Sequence, residues 1–277
     1  MKVFAVANKK GGVGKTMFSI NLAYELSKMG NTLLIDLDPQ AHSTTVFFGK
    51  EQSQGFSGSE TIFQKPPTLS FCKALIGGEG GQESSSLFIS VANSRLYDAS
   101  ERAKSPSFNK REYLLTKALA NTEYDFKYVI IDCPPESQGI LQKNAVAAAD
   151  EILIPLLPDK ASIDGVCEMF PDIIELNEQS PNIRCVMNGW REAEKNNNKD
   201  VSFWLQVLEE NAQKALVELD AKNVVFNIEE IKVPSRTVAR QAQSYNMPIE
   251  LLDKKSASLV ALKELAAVIT KVSRKKK

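Results

Sequence analysis

The segment Asn8-Lys9-Lys10-Gly11-Gly12-Val13-Gly14-Lys15-Thr16 constrains this chain more than any other. An apolar run at residues 2–7 leads into it, and a helical pattern at 15–29 leaves it. Strand, glycine-rich loop and helix in that order make a phosphate-binding loop. The glycines let backbone N–H groups converge on phosphate oxygens without Cβ clashes, and the helix N-terminus adds partial positive charge there. Lys15 can reach β- and γ-phosphates, and the Thr16 hydroxyl can take a Mg²⁺ position. The plain alternative is a glycine turn with an incidental Lys-Thr. The flanking strand and helix, and the acids described below, speak against it.

Around this loop, short apolar runs alternate with helical patterns. Runs at 2–7, 32–36, 87–91, 128–132, 151–155, 184–187 and 224–226 read as strands. Most are continuously apolar, as expected of strands with helices on both faces. Helices are expected at 15–29, 110–120, 139–149, 162–179, 201–220 and 256–272. The fold class is therefore α/β, with a doubly wound, mostly parallel sheet flanked by helices. Residues 50–86, rich in Gly, Ser and Gln, and the polar residues 192–200 read as surface insertions. No internal repeat is visible, and a single P-loop domain over 1–277 with a basic tail at 271–277 is expected.

Acids follow two of these strands. Asp36 and Asp38 end the second, where alternation puts both carboxylates on one face. A carboxylate there can orient the water that attacks a γ-phosphate. Two solvated turn aspartates before Pro39 are the alternative. The run ending in Asp132-Cys133-Pro134-Pro135 has the form of a Walker B segment, whose acid holds Mg²⁺ directly or through water. Cys133 reads as a small packing residue. Asn188, at a strand end, either reads the adenine or caps a turn.

Lys10 matches the signature lysine of the deviant Walker A loop, K-G-G-V-G-K-T. With Asp36-Leu37-Asp38-Pro39-Gln40, Asp132-Cys133-Pro134-Pro135 and the late Val233-Pro234, the chain resembles the ParA/MinD group of ATPases, and specifically the ParA family, over about residues 2–272. The resemblance implies ATP and Mg²⁺ as ligands. It also implies an ATP sandwich dimer in which Lys10 reaches the partner's phosphates, and slow hydrolysis stimulated by a ParB-like partner. The ATP-bound homodimer would bind double-stranded DNA without sequence specificity. Asp38 would take the water-orienting role, and Thr16, Asp36 and Asp132 the metal region. Gly11, Gly12, Val13, Gly14, Lys15, Thr16 and Met17 would line the nucleotide. Met17 stands where the family usually has a second threonine, removing one hydrogen bond worth roughly 0.5–1.5 kcal/mol. Position 9, commonly Gln in the family, is Lys9 here.

Formal net charge is zero, yet residues 222–277 hold twelve Lys/Arg against five Asp/Glu. Such an end can meet an anionic polymer. Arg191 falls where the family places a DNA-contacting arginine. Arg236 and Arg240 lie in the segment that holds another, although the aligned position is Val238. A solvated helix terminus explains the last residues equally well. Few aromatics lie among them, so single-strand stacking is not expected. By family comparison the chain looks like the short ParA type, without a helix-turn-helix extension.

Two other classes compete. A MinD-like membrane-cycling ATPase needs an amphipathic C-terminal helix, and Leu259, Leu262, Leu265, Ile269 and Val272 form an apolar stripe there. Packing on the sheet explains that stripe better. The other class is metabolic, a P-loop ligase or a nitrogenase-reductase-like electron donor; the latter needs a cysteine pair at its dimer face, and the four cysteines are scattered. Positioning of a protein cargo by the same engine stays open. The single histidine, His42, excludes a histidine metal cluster or a Ser-His-Asp triad by inventory. With no leader and no run approaching about 18 apolar residues, a cytoplasmic protein is expected.

Overall fold

The computed structural model describes residues 1–49, 55–77, 81–135, 139–177, 182–190, 198–221, 224–234 and 237–271. Its centre is an eight-stranded sheet in the order β3-β4-β2-β5-β1-β6-β7-β8. The strands are β1 Lys2–Val6, β2 Thr32–Asp36, β3 Cys72–Ile76, β4 Gln82–Ser90, β5 Tyr128–Asp132, β6 Glu151–Leu156, β7 Asn182–Trp190 and β8 Val225–Pro234. Every neighbouring pair is parallel except β3 with β4.

Alternation along the strands explains why they read as continuous apolar runs. Val3, Ala5, Leu33, Ile35, Val129, Ile131, Ile152 and Ile154 face one buried cluster. Phe4, Val6, Leu34, Ile130, Leu153 and Val186 face a second on the opposite side. Helices cover both. On the first side lie α3 (Ser94–Ala103), α4 (Leu114–Ala120), α5 (Ile140–Ala148), α6 (Lys160–Cys167), α7 (Phe170–Leu176) and α8 (Asn198–Glu218). On the second lie α1 (Lys15–Ser27), α2 (His42–Phe48), α9 (Thr237–Ser244), α10 (Ile249–Leu252) and α11 (Ala257–Thr270). The stripe Leu259, Leu262, Leu265 and Ile269 of α11 is buried in that second cluster, so it packs the sheet as expected.

Several elements depart from the sequence reading. The described part of 50–86 is not a plain surface loop. It carries a 3₁₀ turn, Ser59–Phe63, with Ile62 and Phe63 buried, and then the edge strand β3. Gly58 makes that turn possible, because a Cβ there would lie 2.0 Å from the Val91 carbonyl oxygen. The helix expected over 162–179 is two helices, since Pro171 lies in the first turn of α7. Proline cannot donate to the preceding turn and clashes with it, so a new helix starts there. β8 runs to Pro234 rather than stopping at 226, because its backbone goes on pairing with β7 out to Trp190, with Glu229 ion-paired to Arg184 along the way. Residues 191–197 lie outside the described residues, and 198–200 already belong to α8.

Candidate nucleotide site

β1 is flanked by β5 on one side and β6 on the other, and the chain leaves it toward β2, beyond β5. Strand order reverses there, and in open parallel sheets ligands sit at the carboxyl ends of such strands. The register fixes what meets at that point. Val6 lies opposite Asp132, and Asp132 opposite Asp36.

The loop from β1 to α1 is built as the sequence predicts. Gly12 and Gly14 take positive φ values of 75° and 99°. A Cβ on Gly14 would also lie 2.4 Å from Asn188 Nδ2, so glycine is required there twice over. Gly14 sits at the N-cap of α1 with no side-chain cap, and the first turn holds no acid. The first N–H groups of α1 are therefore left for an anion, with the helix dipole behind them. Asn8 braces the loop from beneath. Its Nδ2 donates to the Pro155 carbonyl at 3.0 Å, and its Oδ1 accepts from the Lys10 amide at 2.8 Å. Gly165 of α6 lies so close that a Cβ would stand 2.7 Å from that Oδ1.

Lys15 is buried, and its Nζ donates to the carbonyls of Asn8 and Lys10, each at 3.1 Å. Burial pulls its ammonium below the ordinary value, while Cys133, Asp132 and Asp38 pull it back up. A cation held in a dry pocket interacts more strongly with an arriving phosphate than one in water. Lys10 points elsewhere. Its Nζ lies 3.9 Å from Asp159, and Lys9 pairs with Asp172 at the same distance.

The acids divide their work in a way sequence did not separate. Asp132 is fully buried and accepts from Ser19 Oγ at 3.0 Å, from Ser43 Oγ at 2.6 Å and from Thr16. Burial pushes its carboxyl up to about 6, against those three hydrogen bonds and with the Asp38 charge adding to the rise. Asp36 is fully buried too. Its Oδ1 accepts from the Asp38 amide at 3.0 Å, and its Oδ2 from the Thr44 amide and hydroxyl, each at 2.8 Å. Burial and the neighbouring Asp132 charge push it up to about 8, opposed by Thr44 and the Asp38 amide. Asp36 thus stands behind the cleft with both oxygens engaged, shaping the turn that carries Asp38.

Asp38 reaches the cleft itself, with Oδ1 accepting from the Gln40 amide at 2.9 Å. The cleft measures about 340 Å³ and is lined by Gly11, Gly12, Gly14, Lys15, Thr16, Met17, Asp38, Gln40, His42 and Pro135. Val13 is buried behind the loop, and its carbonyl accepts from Asn188 Nδ2 at 2.8 Å. Asn188 therefore braces the loop's turn. Cys133 is buried in the core beside the site, and burial pushes its thiol up, as suits packing rather than reaction.

Sequence reasoning brought Lys15, Thr16, Met17, Asp38 and the glycines to one cleft, and the structure places them there. It missed Ser19, Ser43 and Thr44, which hold the two buried acids. The one signal for Ser43 and Thr44 was a run of hydroxyl residues, Ser43-Thr44-Thr45, soon after the acidic turn, and Ser19 carried none. Replacing Thr44 with valine keeps the shape but deletes the donor to Asp36 and the acceptor for the Ala92 amide, a 2.8 Å bond. With a buried N–H left unpaired, chemical denaturation should show a loss of about 2 kcal/mol. An unchanged midpoint would contradict this role for Thr44. Arg240 is exposed on α9, whereas Arg191 and Arg236 lie outside the described residues.

Known proteins share this geometry's sequence and fold. A family model described as an AAA domain matches residues 1–185. The chromosome partitioning protein ParA of Myxococcus xanthus (strain DK1622) is 31% identical over 256 residues, spanning 92% of this chain and 83% of that protein. The sporulation initiation inhibitor protein Soj of Bacillus subtilis (strain 168) is 27% identical over 268 residues, 96% of each chain. A solved ATP complex of a McdA variant from Cyanothece superposes with a TM-score of 0.74 at 19% identity, covering 98% of both chains. At that identity the likeness is one of fold.

Proposed function

The chain belongs to the ParA family of P-loop ATPases, and from that premise we propose that ATP switches it from a monomer to a DNA-binding homodimer. One observation carries this reading. The two lysines of the loop serve different directions: Lys15 lines its own cleft, whereas Lys10 is not among the lining residues and stands partly exposed beside Asp159. A partly exposed cation outside its own cleft is free to meet a second protomer's phosphates, a charge supplied in trans.

The residues also fit Mg²⁺. Thr16 offers a hydroxyl on the cleft wall, and Asp132 lies behind it with its oxygens oriented by Ser19 and Ser43. When bound, the ion neutralises charge on the β- and γ-phosphate oxygens. The chain's own residues do the rest. The uncapped start of α1 and the loop amides bind the phosphates, and Lys15 and Lys10 hold the γ-phosphate from two sides. Asp38 orients the attacking water. Hydrolysis removes the group that Lys10 clamps, so the dimer opens and DNA is released. A ParB-like partner accelerates that step.

Arg191, Arg236 and Arg240 are the proposed DNA contacts. The relatives' names include chromosome partitioning, which supports a DNA cargo. The burial of the α11 stripe favours this over lipid anchoring. Duplex binding followed by fluorescence anisotropy with AMPPNP, with ADP and without nucleotide, at two salt concentrations, tests the reading. Binding is expected with AMPPNP alone, with a salt slope of about 0.9 per phosphate neutralised. Equal binding in all three states would overturn it. Lys10→Ala is expected to retain nucleotide affinity while losing both the dimer and DNA. Retention of an AMPPNP-dependent dimer by that variant would remove Lys10 from the switch.

A further inference from the structure

The cleft contains a titratable side chain that neither the loop motif nor the acids account for. His42 is the only histidine in the sequence, and it lines the cleft together with Lys15, Asp38 and Gln40.

Its position is enforced rather than incidental. Ala41 adopts the left-handed conformation, φ 58°, which a residue with a Cβ rarely takes, and its amide donates to the Asp38 carbonyl at 2.8 Å. On the other side, Ser43 is tied to Asp132 and Thr44 to Asp36. Both anchors are fully buried acids at the ends of central strands. The backbone of residue 42 is thus fixed from both directions, while its side chain is exposed on the open side.

Among the described residues, the ionisable side chains that line the cleft with it are Lys15 and Asp38. Lys15 enters the cleft from the loop and Asp38 from the acidic turn, with Asp132 buried behind Ser43. Lys9 and Lys10 pair with Asp172 and Asp159 and do not line the cleft. A neutral imidazole carries one N–H donor in either tautomer. An oxygen of whatever fills the cleft can accept that N–H.

We propose that His42 is a nucleotide-contacting residue whose imidazole donates to a γ-phosphate oxygen of bound ATP, so that it favours the triphosphate over the diphosphate. The γ-phosphate is assigned because His42 lines the cleft with Asp38, the group that faces the attacking water. This inference rests on the proposed phosphate site and gives it a further, ATP-selective contact.

The sole histidine makes the test direct, because the full chain gives one set of imidazole ¹H–¹³C signals. These signals are expected to move on saturation with AMPPNP and Mg²⁺, and to lie near their nucleotide-free positions with ADP and Mg²⁺. His42→Ala should lose about tenfold in affinity for AMPPNP with little change for ADP, as for one hydrogen bond to a charged group. His42→Gln, which keeps a donor, should recover part of that loss. Binding of AMPPNP at full affinity with unmoved imidazole signals would overturn the contact and leave the phosphate site standing. So would an unchanged preference for AMPPNP over ADP in His42→Ala. A chain that binds neither nucleotide would overturn the phosphate site as well.

Discussion

Lys15→Ala is expected to abolish nucleotide binding at concentrations that saturate the wild type. The side chain does two things. Its ammonium is held in a buried position by the Asn8 and Lys10 carbonyls, which sets it beneath the loop. There it can meet the β- and γ-phosphates together. A hydrogen bond to a charged group is worth about 1.5–3 kcal/mol, and removing two such bonds at once should cost at least about a hundredfold in affinity. Truncation also leaves the two carbonyls without their donor. Titration calorimetry with AMPPNP and Mg²⁺ measures this. An affinity within a few fold of the wild type would mean that phosphates do not bind at this loop.

Asp38→Ala should separate binding from turnover. Asp38 lines the cleft, and its carboxylate accepts from the Gln40 amide. Its removal leaves Asp36 and Asp132 with their own partners, so the site should keep its shape. Nucleotide affinity should hold while hydrolysis falls by about 10²–10⁴, the usual contribution of a positioned general base. Single-turnover measurement of phosphate release reads this without interference from product dissociation. Hydrolysis at the wild-type rate would assign water orientation to another group.

The part of this site that sequence disclosed is the part held in contiguous residues. Lys10 to Thr16 form a loop whose conformation depends on its own glycines and on the helix that follows. Asp132 was visible because an apolar strand ends in it. The role of Asp36 was not, because it depends on Thr44, eight residues on, and on a short helix the sequence hid. That helix reads His42-Ser43-Thr44-Thr45-Val46-Phe47-Phe48, rich in β-branched and aromatic residues, which are indifferent helix formers. Tertiary packing, not propensity, makes it helical: Val46 and Phe47 are buried in the core.

The sheet shows the same division. Its central strands are apolar on both faces and were read correctly. The edges were not. β3 pairs on one side only and shows a bulge between Lys73 and Leu75, so its alternation is weak. At the other edge the apolar start of β8 was legible, but its polar residues conceal how far the strand runs, to Pro234. Pro171 did carry a boundary signal, and it divides α6 from α7.

The central claim is that ATP makes a dimer. Light scattering on Asp38→Ala gives its mass with ATP and Mg²⁺, with ADP and Mg²⁺, and without nucleotide. This variant should hold ATP without consuming it, so the complex persists through the measurement. The account predicts twice the monomer mass with ATP and the monomer mass in the other two states. A single mass under all three conditions, with ATP shown to be bound, would contradict it.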